Sequence, residues 1–145
     1  MASKLCEYGF EFHNWAGGQE GAEMFGLSHA VIVPKSVRRI ILSGQVGIKA
    51  DGTIPADLSE EIREAFEHVL LSLKAAGLGD DAFEYIYSVK TYEVKKNGKG
   101  IAEVLIPIAR EYFKNTKPAW TGVEVNALFL PSLHLEICVE AYLPN

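Results

Sequence analysis

The sequence predicts a single α+β domain in which two helices cover one face of a mixed β-sheet of four to six strands. A chain of 145 residues suits one domain, and we assign residues 1–145 to it, with residues 1–27 as a variable N-terminal extension. A hydrophobic content of 48% is enough for a core without disulfides or metal. Two segments with helical spacing of apolar residues alternate with strand-like runs, in the order β-β-α-β-α-β-β.

The first part of the chain is predicted to contain loops and short strands. Leu5–His13 is compatible with a short extra strand, whereas the Gly- and Glu-rich segment Trp15–Gly26 is typical of a loop. Ala30–Val33 is a short apolar run that stops at a proline. Arg39–Val46 has the pattern of one buried strand.

The clearest helix is predicted to begin after Asp57. This residue can cap the helix, and Glu60 three residues later completes a capping-box pattern. Gly77 is a natural stop. Between these signals, apolar residues recur at helical spacing, at Ile62, Phe66, Val69, Leu70 and Leu73.

The second half of the chain is predicted to contain three strands and one more helix. Phe83–Val94 alternates and is rich in Tyr, Val and Ile, which favours a strand. A helix is predicted over Ile101–Lys114, with a kink or a restart at Pro107. Thr121–Leu128 and Leu133–Leu143 are the last two predicted strands.

This arrangement leaves one face of the sheet without a helix. A large uncovered sheet face is unusual in a monomer, because exposed apolar patches normally mark interaction surfaces. The sequence therefore predicts an oligomer.

Composition argues against membrane and nucleic-acid partners. No apolar run reaches the roughly 18–20 residues of a membrane span, and the first eleven residues lack the apolar stretch of a signal peptide. The formal charge of -5 and the pI near 5.4 disfavour binding to a phosphate backbone. The two isolated cysteines, Cys6 and Cys138, do not form a disulfide framework. We expect a cytoplasmic protein, with a mitochondrial location left open.

No motif predicts a metal or an organic cofactor. The four histidines, His13, His29, His68 and His134, lack the spacing of metal ligands, and surface or packing roles are expected for them. The chain contains no G-x-S-x-G, P-loop or dinucleotide fingerprint. Cys138 has no sequence signal for a paired base, which a thiol nucleophile needs at neutral pH.

Short motifs spread along the chain resemble the RidA/YjgF family in order and approximate spacing, and together they cover about residues 28–143. These motifs are Ser43-Gly44-Gln45, Lys74-Ala75-Ala76-Gly77-Leu78, Ser88-Val89-Lys90-Thr91, Tyr112-Phe113 through Pro118-Ala119, Val123-Glu124-Val125 and Val139-Glu140-Ala141. The resemblance implies a chorismate-mutase-like fold and a homotrimer with a central barrel of sheets and three clefts between subunits. The deaminase members of the RidA/YjgF family hydrolyse enamines and imines such as 2-aminoacrylate, and they need no metal or organic cofactor.

The chain departs from the deaminase pattern at five positions. In the deaminases an arginine follows Pro-Ala and grips the substrate carboxylate through a bidentate pair, but here Trp120 follows and offers a single donor and no charge. Gly122 stands where the family usually has cysteine, and Cys138 where it has a water-positioning glutamate. The family tyrosine corresponds to Leu27, and an asparagine corresponds to an apolar position near Ile106.

The resemblance implies a ligand-binding cleft formed by Leu27, Ser43, Gly44, Trp120, Thr121, Gly122 and Cys138. Trp120 is interpreted either as an aromatic wall for an apolar ligand or as packing that fills the vacant arginine site. No catalytic residue is assigned. Glu136, Cys138 and Glu140 share one strand face and are the candidates, and a half-buried Glu124 or Glu140 could act as a base.

Two functions follow as hypotheses. The first is a homotrimer that binds a small metabolite, other than a simple 2-imino acid, in a remodelled cleft between subunits. The second is an active enamine/imine deaminase of the 2-iminobutanoate/2-iminopropanoate type with a different substrate anchor. A nuclease, suggested by the endoribonuclease L-PSP label of some relatives, is disfavoured by the acidic charge and by the lack of a paired histidine or a carboxylate cluster.

Overall fold

The computed structural model describes residues 2–145, and these residues form seven strands and three α-helices. In chain order the elements are β1 (Glu11–His13), α1 (Gln19–Phe25), β2 (Ala30–Ile32), β3 (Arg39–Ile41), β4 (Gln45–Val46), α2 (Leu58–Ala75), β5 (Ile86–Glu93), α3 (Ala102–Phe113), β6 (Ala119–Glu124) and β7 (Leu135–Tyr142). Short 3-10 helices occupy Lys4–Tyr8 and Ala82–Tyr85.

The main sheet is mixed, as predicted for an α+β domain. Its strand order is β3-β7-β5-β6, and β4 pairs with β7 on the same side as β3. The β5–β6 pair is parallel, whereas the pairs that involve β7 are antiparallel. A separate two-stranded sheet joins β1 and β2.

Helix α2 forms where the capping and spacing signals predicted it. The Asp57 side chain accepts a hydrogen bond from the backbone N–H of Glu60 at 3.1 Å, which satisfies one free donor of the first turn. The helix ends just before Gly77, whose φ of 115° lies in the region that favours glycine. The apolar stripe of α2 is buried against the sheet.

Helix α3 runs through Pro107 as one element, so the predicted restart does not occur. A proline inside a helix removes one backbone hydrogen bond. Apolar residues on both sides of it, Leu105, Ile108, Ala109 and Phe113, are buried in the core.

The N-terminal part contains more regular structure than the sequence predicted. The segment Trp15–Gly26, predicted as a loop, contains helix α1; its glycines hid a short helix that ends at Gly26 with φ 68°. The predicted strand over Leu5–His13 is confined to β1. Leu5 and Phe10 are almost fully buried, so the extension contributes directly to the core.

Arg39–Val46 is two short strands rather than the single strand predicted. The register with β7 shifts by one residue between β3 and β4, because one extra residue is inserted around Leu42–Gly44. Such a bulge bends a strand and redirects its side chains. The last predicted strands also move: β6 begins earlier than Thr121, and β7 begins at Leu135.

One face of the sheet is uncovered within the chain, as predicted. Alternate residues of β7 facing α2 are buried, whereas Glu136, Cys138 and Glu140 face the other way and are half-buried. We call this second surface the open face. Its side chains are those of Ile41, Ser88, Lys90, Thr121, Val123, Glu136, Cys138 and Glu140.

Across residues 2–145, the helices are too short or too polar for any of them to cross a membrane.

Candidate functional site

Trp120 lies on β6, with its side chain toward α3 rather than toward the open face. Its ring is half-buried and packs at 5.4 Å from the ring of Phe113. The indole Nε1–H donates a hydrogen bond to Oγ1 of Thr91 at 3.1 Å. Trp120 is therefore fixed by one packing contact and one polar contact.

The hydrogen bond of Trp120 continues to a carboxylate. Thr91 is buried, and its hydroxyl donates to Oε2 of Glu93 at 2.8 Å. An indole N–H can only donate, so the hydroxyl must accept from Trp120 and donate to Glu93. We call this series the Trp120–Thr91–Glu93 relay.

Gly122 leaves the space that the relay occupies. It is paired with Thr91 in the β5–β6 register. A Cβ atom at position 122 would lie 2.8 Å from Oε2 of Glu93 and 2.9 Å from Oγ1 of Thr91, closer than real Cβ contacts. The glycine and the relay therefore depend on each other.

Glu93 is a half-buried carboxylate with a raised pKa. Burial is the largest cause, because it disfavours the charged form, and the negative charge of Glu124 on the paired strand raises the pKa further. The hydrogen bond from Thr91 acts in the opposite direction. A half-buried carboxyl group with a perturbed pKa is a candidate functional group, unlike an ordinary surface glutamate.

Three adjoining pockets meet at Trp120, with volumes of about 530, 260 and 570 Å³. The pocket of about 260 Å³, which we call the Trp120 pocket, lies between β6 and α3. Among the residues that line it, only Glu93 is charged. These residues are Phe25, Leu27, Glu93, Ala102, Leu105, Ile106, Ala109, Trp120 and Gly122.

Four of the five positions at which the sequence departs from the deaminase pattern line this one pocket. They are Leu27, Ile106, Trp120 and Gly122. The fifth, Cys138, lies on the open face. The changes are thus concentrated at one place in the fold.

The other predicted cleft residues lie elsewhere in the chain. Thr121 is exposed on the open face, where it is paired with Lys90. Ser43 and Gly44 belong to the bulge between β3 and β4, at the opposite edge of the sheet from β6. Three strand spacings of about 4.8 Å separate these edges. A single chain therefore does not bring the predicted cleft together.

The three catalytic candidates, Glu136, Cys138 and Glu140, lie on β7 and do not line the Trp120 pocket. Burial raises the pKa of the Cys138 thiol and the negative charge of Glu136 raises it further, so the thiol is not activated as a nucleophile. Glu140 pairs with Arg39 at 3.6 Å. Glu124 is exposed, so the expectation that it is half-buried is wrong.

Sequence reasoning missed Glu93. It ends β5 and precedes a polar turn, which made it resemble a surface residue. Its alternation with the buried residues Val89 and Thr91 on β5 was the available signal, since every second residue of a strand faces the same side.

The histidines have structural partners. His134 contacts Glu61, and Nδ1 of His68 lies 2.7 Å from the carbonyl oxygen of Val46. In the part of the chain that the structure describes, no group of three or more His, Cys, Asp or Glu residues could hold a metal ion.

Replacing Glu93 with Gln is expected to stabilise the ligand-free protein at neutral pH. A carboxyl group with a raised pKa in the folded state contributes stability that falls as pH rises above its ordinary value of about 4.3. We expect Glu93→Gln to raise Tm by about 2 °C at pH 7, part of the effect being screened by solvent. At pH 4, where both states are largely protonated, the two proteins should melt together. An equal difference at both pH values would contradict this origin.

Comparison with known proteins identifies the family to which this chain belongs. A family model described as Endoribonuclease L-PSP matches residues 22–143, which is most of the chain. The chain belongs to the RidA/YjgF family. The family resemblance inferred from the motifs is thereby confirmed. The RutC family protein YjgH of Escherichia coli (strain K12) is 31% identical over 107 residues, which cover 73% of this chain and 76% of that protein.

Solved structures of RidA/YjgF relatives share the fold. The Rid family protein YyfB from Yersinia pestis is 25% identical with a TM-score of 0.75, covering 92% of this chain and 98% of its own. The structure of protein YJGH is 27% identical with a TM-score of 0.62 and covers 92% of both chains. The predicted chorismate-mutase-like α+β fold is thus confirmed, and the site described above lies on a fold that RidA/YjgF members share.

Proposed function

We propose that this protein is a RidA/YjgF homotrimer that binds a small metabolite in clefts between subunits, at a site remodelled around Trp120. The observation that carries the proposal is that Trp120 borders the Trp120 pocket rather than filling it. An indole that merely replaced the missing arginine as packing would leave no cavity beside it. The pocket is small and mostly apolar with one polar anchor, which is typical of a metabolite site.

The position of the cleft residues supports a site shared between subunits. Leu27, Trp120 and Gly122 lie at the β6 edge, and Ser43 and Gly44 lie at the opposite edge. A second copy that placed its β4 edge beside the β6 edge of the first would unite the two groups.

The chemistry of the Trp120 pocket argues against a simple 2-imino acid. Such a ligand carries a carboxylate, which needs a cationic partner when it is desolvated. Trp120 supplies one neutral donor, already used by Thr91, and Glu93 adds negative charge. A less acidic ligand fits this environment better.

Mass measurement and crystal soaking test the proposal together. We expect a mass in solution of three times the 16.0 kDa chain. We also expect crystals soaked with a mixture of small carboxylates and aromatic metabolites to show a bound molecule beside Trp120, with atoms of two subunits around it. A monomeric mass, or a pocket that a neighbouring subunit fills completely, would argue against it.

A second candidate function is imine deamination with a different substrate anchor. The observation that favours it is the Glu136 carboxylate, which occupies the space that a side chain at position 44 would need. An acidic group therefore lies beside Gly44, at the edge that would face the Trp120 pocket of a neighbour. This group is close to the place of the family glutamate.

The deaminase alternative predicts how an arginine at position 120 would behave. Trp120→Arg alone is expected to add no activity, because the new guanidinium would pair with Glu93 instead of a substrate carboxylate. Trp120→Arg combined with Glu93→Gln frees the guanidinium and is expected to speed the decay of a 2-imino acid by about tenfold. The assay couples the protein to an amino-acid dehydratase and follows that decay.

The unmodified protein and the single variants are the controls in this assay. If the unmodified protein gives no acceleration over buffer, deamination of this substrate is excluded as its activity. Equal rates for Trp120→Arg with and without Glu93→Gln would show that Glu93 does not control the arginine.

A further inference from the structure

We propose that the Trp120 pocket selects a positively charged head group, an amine or an amidine, which Glu93 binds while the apolar body of the ligand packs on Trp120. This inference rests on the proposed function, because it names the class of ligand for the same cleft. It reverses the charge preference that an arginine at position 120 would impose.

In the described part of the chain, Glu93 lacks a cationic partner. Within residues 2–145 no Lys, Arg or His side chain forms an ion pair with it, and its one side-chain hydrogen bond comes from Thr91. Its neighbour in the strand register, Glu124, has the same charge. A half-buried carboxylate without a counter-ion is costly, and a bound cation would remove that cost.

The cationic side chains around this part of the sheet are engaged elsewhere, and Lys95 pairs with the exposed Glu124 at 3.9 Å. Arg110 and Lys117 line the adjoining pocket of about 530 Å³ rather than the Trp120 pocket. Lys117 pairs with the carboxylate of Glu23, and Arg110 donates to the carbonyl oxygens of Glu23 and Met24. These contacts attach α1 to the domain, so neither cation is available to neutralise Glu93.

The shape and polarity of the Trp120 pocket also favour a cation with an apolar body. Phe25, Leu27, Leu105 and Ile106 form apolar walls, which lower the local dielectric constant and so strengthen a charge–charge contact. The indole of Trp120 has an electron-rich face that attracts a cation. A volume of about 260 Å³ equals the liquid volume of about nine waters at about 30 Å³ each, so the ligand has about nine heavy atoms.

The Glu93 carboxylate and the engaged indole N–H of Trp120 also exclude anions from the pocket. A carboxylate in the Trp120 pocket would meet Glu93 without any donor to compensate, because the indole N–H already donates to Thr91. Neutral ligands of the same shape would lose the ionic contact but suffer no repulsion. The pocket should therefore rank ligands as cation, then neutral molecule, then anion.

A charge series of constant shape tests this ranking. Benzamidinium, benzamide and benzoate have the same ring and the same number of heavy atoms, and they differ mainly in charge. Each is titrated into the intact protein labelled with ¹⁵N-tryptophan, and the indole N–H signals of Trp15 and Trp120 are followed. Trp120→Phe assigns the signals. Both tryptophans line the adjoining pocket of about 570 Å³, so movement of both signals reports binding there instead.

We expect benzamidinium to shift the Trp120 signal with saturation, benzamide to bind at least about tenfold more weakly, and benzoate to have no effect. Glu93→Gln should reduce the preference for benzamidinium over benzamide to within about twofold. Glu124→Gln is the matched control, because this exposed glutamate is the strand neighbour of Glu93, and it should retain the preference.

Three outcomes would overturn the proposal. Benzoate or benzamide binding at Trp120 as tightly as benzamidinium would remove the charge preference but leave a small-ligand cleft intact. An unchanged preference in Glu93→Gln would show that another group selects the charge. Failure of all three compounds at millimolar concentration, with loss of the oligomer in Glu93→Gln, would show that a neighbouring subunit already neutralises Glu93.

Discussion

Replacing Glu61 with Ala is expected to lower the free energy of unfolding by about 3–5 kcal/mol. The Glu61 side chain is fully buried in α2. Its carboxylate accepts a hydrogen bond from the backbone N–H of His134 at 2.6 Å. The ring nitrogen Nδ1 of His134 lies 2.8 Å from the second carboxylate oxygen of Glu61. Alanine would leave the His134 N–H and the His134 ring nitrogen without this partner, and a loss of this size is a large part of a typical domain's stability of about 5–15 kcal/mol.

Two variants separate this effect from a general loss of helix stability. Glu60→Ala changes the preceding, exposed residue of the same helix and is expected to cost less than about 1 kcal/mol. Glu61→Gln retains an acceptor for the His134 N–H and should fall between the two. Urea unfolding at one fixed protein concentration measures all three, because oligomerisation makes apparent stability depend on concentration. Equal losses for Glu61→Ala and Glu60→Ala would show that the buried contact is unimportant.

Replacing Ile41 with Asp is expected to dissociate the proposed homotrimer. Ile41 is 67% exposed on the open face, and its paired residue across β3 and β7 is Glu140. A new carboxylate would be desolvated in the assembly beside a like charge, at a cost of several kcal/mol per subunit. Association should weaken by more than about a hundredfold, and sedimentation velocity at micromolar concentration should report one chain of 16.0 kDa.

Leu71→Asp is the matched control for this experiment. Leu71 is 61% exposed, nearly as much as Ile41, but it lies on α2, on the other side of the sheet. The Leu71 variant should keep the mass of the unmodified protein, and circular dichroism should show that both variants are folded. Dissociation by Leu71→Asp and not by Ile41→Asp would place the subunit contact on the helices.

The sequence predicted those parts of the fold that depend on local pattern. The cap at Asp57 and the apolar spacing of α2 are properties of neighbouring residues, so they were readable without the fold. Helix α1 was missed because the glycines in and around it favour loops, whereas contacts with distant residues, among them Arg110 and Lys117, attach it to the domain. The bulge between β3 and β4 was missed because it depends on pairing with β7, which is distant in sequence.

The site was predicted in part for the same reason. The motif around Trp120 pointed to the Trp120 pocket, and Leu27 and Gly122 do line it. The role of Glu93 depends on the parallel register of β5 and β6, which brings it beside Gly122, and no local pattern encodes that register. Ser43 and Gly44 lie away from the pocket within one chain, so only assembly could complete the predicted cleft.

The fit between Gly122 and the relay also couples the residues that positions 93, 120 and 122 can accept. A cysteine restored at position 122 would collide with Glu93 and Thr91 unless the carboxylate moved first. An arginine restored at position 120 would be neutralised by Glu93 while that residue remained. Single substitutions toward the deaminase pattern are therefore expected to be unfavourable one at a time, so that positions 93, 120 and 122 should show epistasis.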